Sequence, residues 1–189
     1  MSTADYAPPN HGTLPTDAIA AIARARTAGL VAVPWGGPAR RLLDERFAVL
    51  VGDEDHPWDG RLGVAYDGSR AAEAALAFVR ELAEHPDGHV SSVDVAYVDC
   101  GGEDIGVLDS RREAMFEWWL RERVGDLPSP VHPVRAIGDP AVALAEFSET
   151  VDLLVIGTTR RNRFLRALSP SLTDQLVATS RCPLLVVPA

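Results

Sequence analysis

The sequence predicts an α/β protein: an open, doubly wound parallel sheet with helices on both faces, preceded by an N-terminal αβ extension. Three observations predict it. From Arg61 onward, short apolar runs alternate with amphipathic helical segments, which requires right-handed crossovers and therefore parallel strands covered on both sides. Two of the runs, Val151-Asp-Leu-Leu-Val-Ile156 and Leu184–Val187, are near-continuously apolar, as strands buried on both faces are. Turn-forming residues, Asp67 and Gly157, fall at strand carboxyl ends, where open sheets of this kind hold ligands.

The elements follow in chain order. Met1–Pro15 is polar, carries Pro8, Pro9, Gly12 and Pro15, and reads as a mobile arm. Residues 16–60 form the N-terminal extension and linker. There Thr16 is the expected cap of a helix from Asp17 to about Thr27, with Ile19, Ile22 and Ala23 on one face. Leu30–Val33 is a strand closed by Pro34, Ala39–Arg46 a helix, Phe47–Val51 a second strand, and Gly52–Gly60 an acidic linker containing Pro57.

Residues 61–189 form the main domain. Leu62–Tyr66 is a strand. The helix from Ser69 or Arg70 to about Glu84 is rich in alanine, which lets it lie close to a sheet. His89–Val98 is the next strand. Ser110 and Glu113 form a capping box for a helix to about Val124, with Met115, Trp118 and Trp119 on one face and Gly125 as its stop. Val131–Ile137 is a strand; Asp139 caps and Pro140 opens a helix to about Thr150. Val151–Ile156, an arginine-rich loop, a helix at Ser171–Val177 and a strand at Cys182–Pro188 complete the chain. The N-terminal extension and the C-terminal segment both read helix, strand, glycine, helix, strand. A decayed duplicate and a chance likeness of two αβ units both account for that pattern.

Composition narrows the function classes. The chain has 189 residues, 47% hydrophobic, with a net charge of −9, so it can bury a core and disfavours nucleic acid as a partner. All its basic residues are arginine. No apolar run approaches the roughly 18 residues of a membrane span, and the N-terminus lacks the basic and apolar regions of a signal peptide, so no membrane role and a cytoplasmic location are expected. Cys100 and Cys182 suit a reduced interior. The five histidines have no metal-ligand spacing, and no nucleophile–base pair, P-loop or Gly-x-Ser-x-Gly elbow is present, so no catalytic residue and no enzyme activity are expected.

Four segments in one order resemble the universal stress protein family, from about Arg61 to Ala189: Leu62-Gly-Val-Ala-Tyr-Asp67-Gly68-Ser69, Gly138-Asp139-Pro140, Asp152-Leu-Leu-Val-Ile-Gly157, and Ser171-Leu-Thr-Asp-Gln-Leu-Val177 with Cys182-Pro183 and Leu184–Val187. The resemblance implies a five-stranded parallel core of order 3-2-1-4-5 and a homodimer through the last strand. It also implies an adenine-nucleotide site, for ATP or AMP. In that site Asp67 stands on the adenine or ribose side, Val98 against the base, and Gly157, Arg160, Ser171, Leu172 and Thr173 along the phosphates; Asp67 also reads as the cap of the helix after Gly68-Ser69, and Ser171 with Asp174 as simply a cap of the last helix.

The family's phosphate signature is Gly, two residues, Gly, nine residues, Gly, then Ser or Thr. Here Gly157 matches the first glycine and Ser171 the hydroxyl position, while Arg160 and Pro170 replace the other two glycines. Arginine hinders close backbone approach, and proline has no N–H to offer. Arg160, Arg161, Arg163 and Arg166 could meet phosphate by charge instead, or form a solvated basic loop. Three readings follow. The first is a non-catalytic stress-response module with a degenerate nucleotide site, binding itself or a protein partner of unknown identity. The second is an ATP- or AMP-binding protein using the arginine loop. The third is a slow ATPase or related enzyme on the same fold.

Overall fold

A computed structural model describes residues 12–26, 29–35, 47–53, 55–99, 114–118, 122, 127–159 and 171–189. In chain order these are β1 (Gly12–Thr13), α1 (Thr16–Ala25), β2 (Gly29–Val33), β3 (Phe47–Val51), β4 (Pro57–Trp58), β5 (Arg61–Ala65), α2 (Arg70–Glu84), β6 (Ser92–Asp99), β7 (Val131–Ile137), α3 (Pro140–Phe147), β8 (Leu153–Thr158), α4 (Leu172–Thr179) and β9 (Leu184–Pro188). Residues 114–118 are also helical.

Seven strands form one sheet in the order β2-β3-β9-β8-β5-β6-β7. The five from β5 onward run parallel in the predicted 3-2-1-4-5 order. The two strands of the extension join the same sheet: β2 and β3 are parallel to each other, and β3 is antiparallel to β9. Each face carries its own apolar core. One joins Ile19 and Ile22 of α1 and Phe78 and Leu82 of α2 to Leu62, Val64, Leu153 and Leu185; the other joins Leu144 and Phe147 of α3 and Leu176 of α4 to Leu154, Ile156, Leu184 and Val186. Alternate residues along β8 and β9 thus feed opposite cores, which is why these strands read as continuous apolar runs.

Helix starts follow local chemistry. The Ser69 hydroxyl accepts from Ala72 N, and Asp139 Oδ1 accepts from Ala141 N and Val142 N with Pro140 in the first turn. Thr16 departs from its expected role: its hydroxyl donates to the Leu14 carbonyl, and α1 begins after Pro15 without a side-chain cap. Of the residues expected to form a mobile arm, 12–15 are built into the fold instead, and 1–11 lie outside the described residues. Gly12–Thr13 pairs with Pro57–Trp58, and Leu14 is 3% exposed, because the apolar Leu14 and Trp58 have a core to enter. The linker expected at Gly52–Gly60 therefore contains a strand, β4. In the segment 114–118, Phe116 rather than Met115 or Trp118 faces inward. Phe116 packs at 5.4 Å from the Tyr97 ring, whereas Met115 and Trp118 are 64% and 63% exposed. The expected helix at 39–46, the Ser110–Glu113 capping box, Cys100, Trp119 and Gly125 lie outside the described residues.

Cys182, just before β9, is 2% exposed. Burial pushes its thiol pKa up to about 11 from an ordinary 9.0, opposed by a hydrogen bond with Ser180. The unfolded chain therefore ionises first as pH rises. The stability contribution is full below pH 9.0 and is lost as pH rises toward about 11. Denaturant titrations at pH 8 and above pH 10 should show a larger alkaline loss for the wild type than for Cys182→Ala. Equal losses would remove Cys182 as a source of alkaline sensitivity.

Candidate functional site

The strand order reverses at β5, with β6 on one side and β8 on the other. At the carboxyl ends of these strands lies a cleft of about 450 Å³. The ends of β5 and β8 form its floor, β6 one wall, and the first turns of α2, α3 and α4 its rim. Three helix N-termini thus surround one cavity, each capped by its own side chain: Ser69, Asp139 and Ser171.

The structure brings Asp67, Val98, Gly157, Ser171, Leu172 and Thr173 together on this cleft. Arg160 and the other arginines of its loop, together with Pro170, lie outside the described residues. Asp67 follows β5, and its Oδ1 accepts from Ser69 N at 2.9 Å, closing a turn over Gly68 at φ +77°. The cap of α2 is Ser69, not Asp67, so the exposed Asp67 keeps its other oxygen without a partner among the described residues.

Gly157 is placed differently from its sequence reading. It lies inside β8 rather than after it, because that strand extends to Thr158 through its ladder with β9. A Cβ at 157 would overlap the Ala71 carbonyl in the first turn of α2. Glycine here lets a helix backbone lie against a strand backbone, a role separate from phosphate approach.

Ser171 caps α4 in a reciprocal box. Its hydroxyl accepts from Asp174 N at 3.1 Å and donates to Asp174 Oδ2 at 2.9 Å, and its own N–H donates to the same Oδ2 at 3.0 Å. Two donors that the sequence offers to a phosphate are thus directed at a carboxylate of the same helix. Thr173 is 8% exposed, while Leu172 is 39% exposed on the cleft rim.

The structure adds residues that the sequence did not single out. Tyr66 is 7% exposed beneath the cleft, and its hydroxyl donates to Glu73 Oε1 at 2.6 Å. Thr158 and Thr159 extend the floor toward α4. The alanine content of α2 is the sequence signal for the close approach of Ala71 and Ala72 to this floor. Among the described residues no group of three or more His, Cys, Asp or Glu could hold a metal ion, and no helix is long and apolar enough to cross a membrane.

Comparison with known proteins agrees with this geometry. A model of the universal stress protein family matches residues 60–188. A sequence search of curated proteins finds no match. Among solved structures, a universal stress protein from Archaeoglobus fulgidus DSM 4304 superimposes with a TM-score of 0.64 at 17% identity, over 90% of this chain and 64% of its own. The chain thus spans less than two thirds of that relative's length. A universal stress family protein from Burkholderia pseudomallei matches at 25% identity and TM-score 0.50, over 69% of this chain and 96% of its own. A universal stress protein in complex with cAMP matches at 17% identity and TM-score 0.50, over 67% of this chain and 94% of its own. With its family match spanning more than half its length and its parallel core strands in the family order, the chain belongs to the universal stress protein family.

Proposed function

We propose that this protein is a non-catalytic, cytoplasmic stress-response module whose cleft admits the nucleoside end of an adenine nucleotide and whose phosphate end is degenerate. One observation carries the reading: Asp174 Oδ2 accepts from both the N–H and the hydroxyl of Ser171. A phosphate placed there must displace this carboxylate or sit beside it. Two anions about 4 Å apart repel by about 4 kcal/mol at the effective dielectric of a protein surface. The nucleoside side keeps its groups: Asp67 presents a carboxylate oxygen with no partner among the described residues, Val98 lines the wall and Ala65 the floor. A relative of the same fold in complex with cAMP supports adenine nucleotide as the ligand class. The same cleft volume supports the second reading, full ATP or AMP binding with help from the arginine loop at Arg160.

Calorimetry with adenosine, AMP and ATP separates the readings. The expected result is that phosphates add no affinity in the wild type. Asp174→Asn, which keeps an acceptor for Ser171 but removes the charge, should tighten ATP about tenfold, or ~1.4 kcal/mol, and leave adenosine unchanged. Wild-type binding of ATP tighter than about 100 μM, lost on Asp67→Ala, would establish the second reading instead. Phosphate release from ATP is expected at the background rate; a rate above it that disappears with a cleft substitution would make the protein an enzyme.

A further inference from the structure

Strand β9 is an inner strand, paired with β8 on one side and with β3 on the other. The β3–β9 ladder is locally symmetric. Val49 faces Val186, Leu50 faces Leu185, and Val51 faces Leu184, so a two-fold through the Leu50–Leu185 pair exchanges the outer two pairs. The parallel ladders carry the relation one strand further. Val31 pairs with Val49 as Leu154 pairs with Leu184, and Val33 with Val51 as Ile156 with Val186.

Side-chain facing obeys the same operation: Leu50 and Leu185 enter one core, while Val33 and Ile156 enter the other. The β2–β3 pair is therefore the geometric counterpart of β8–β9. The helix that precedes it is not the counterpart of α3. It lies on the opposite face, against α2, where Arg26 Nη2 meets Glu81 Oε1 at 2.7 Å and the guanidinium stacks 5.7 Å from the Phe78 ring. The likeness read from the sequence thus holds for the strands and fails for the first helix.

We infer that residues 16–51 take the place of a second subunit on β9. An antiparallel neighbour related to β9 by a two-fold is what another copy of the chain would supply, and here the chain supplies it itself. The edge required for a homodimer through the last strand is closed from within. The match to the Archaeoglobus structure supports a shared arrangement. It covers 90% of this chain, whereas the family model starts at residue 60, so the match extends into the N-terminal segment. Among the described residues the copy is incomplete: no strand follows β2 in the sheet, and none stands as a counterpart of β5 or β6.

The test uses the whole chain. In wild-type protein, the methyl NOE between Leu50 and Leu185 should persist when labelled chain is diluted into unlabelled chain. An isotope-filtered spectrum of mixed labels should contain neither this NOE nor one between Leu185 residues of two chains. An intermolecular NOE at either position overturns the inference. Leu50→Pro removes a ladder N–H at the centre of β3 and should release β9, doubling the mass seen by light scattering. A folded Leu50→Pro monomer also overturns it, and if that variant does not fold, the wild-type NOE experiment decides.

Discussion

Replacing Gly157 by alanine is expected to lower stability by about 3 kcal/mol or more, an overpacking cost at the upper end of the usual range. The new methyl would overlap the Ala71 carbonyl, a backbone atom in the first turn of α2. A flexible side chain could rotate away, but a helix backbone can yield only by moving the helix. Helix α2 is pinned along its length: Phe78, Val79 and Leu82 are at most 1% exposed, and Ser69 holds its N-terminus through Ala72 N. A chain of this size should lose about 10 °C in melting temperature for that energy. Urea denaturation measures it directly. A loss below about 1 kcal/mol would mean that α2 shifts freely and that the close approach is not required. Since Ala71 and Gly157 both line the cleft, the same substitution should also weaken any ligand bound there.

The second large effect is expected at Asp152, on the opposite end of the sheet. Its side chain is 7% exposed, and its Oδ2 accepts from Asp59 N and Arg61 N, both at 2.9 Å, while its Oδ1 meets Arg61 Nη2 at 3.1 Å. It therefore ties the entry of β5 to the entry of β8. Asp152→Ala strands two backbone donors and should cost about 3 kcal/mol. Asp152→Asn keeps an acceptor for both and should recover more than half. Arg61→Ala should cost less than about 1 kcal/mol, because the arginine side chain is half exposed and its ion pair is screened. Equal losses for Arg61→Ala and Asp152→Ala in urea titrations would locate the stabilisation in the ion pair rather than in the backbone hydrogen bonds.

These two residues show where sequence reading stops. Both Gly157 and Asp152 stand in the segment that carries the family resemblance, yet neither structural role is visible there. The partner of Gly157 is 86 residues earlier in the chain, and the Asp152 bonds reach back 91 and 93 residues. No local period or motif records such pairings. Ser171 is the opposite case. Its capping partner is three residues away, so the box with Asp174 was legible as a spacing, although its bearing on a phosphate needed the cleft around it.

The sequence by itself determined most of the strands and helices described within residues 61–189, the cap at Asp139, and the family. Each of these rests on short-range information: alternation of apolar residues, a carboxylate one turn from free N–H groups, and a proline where no donor is needed. It also marked Leu30–Val33 and Phe47–Val51 as strands. Only the tertiary structure decided that β3 runs antiparallel to β9, that α1 packs beside α2 rather than on the face of α3, and that Gly157 serves a helix contact. Strand partners and helix faces are settled by which apolar surfaces meet across long chain separations. Many pairings satisfy the same local pattern, and packing selects among them.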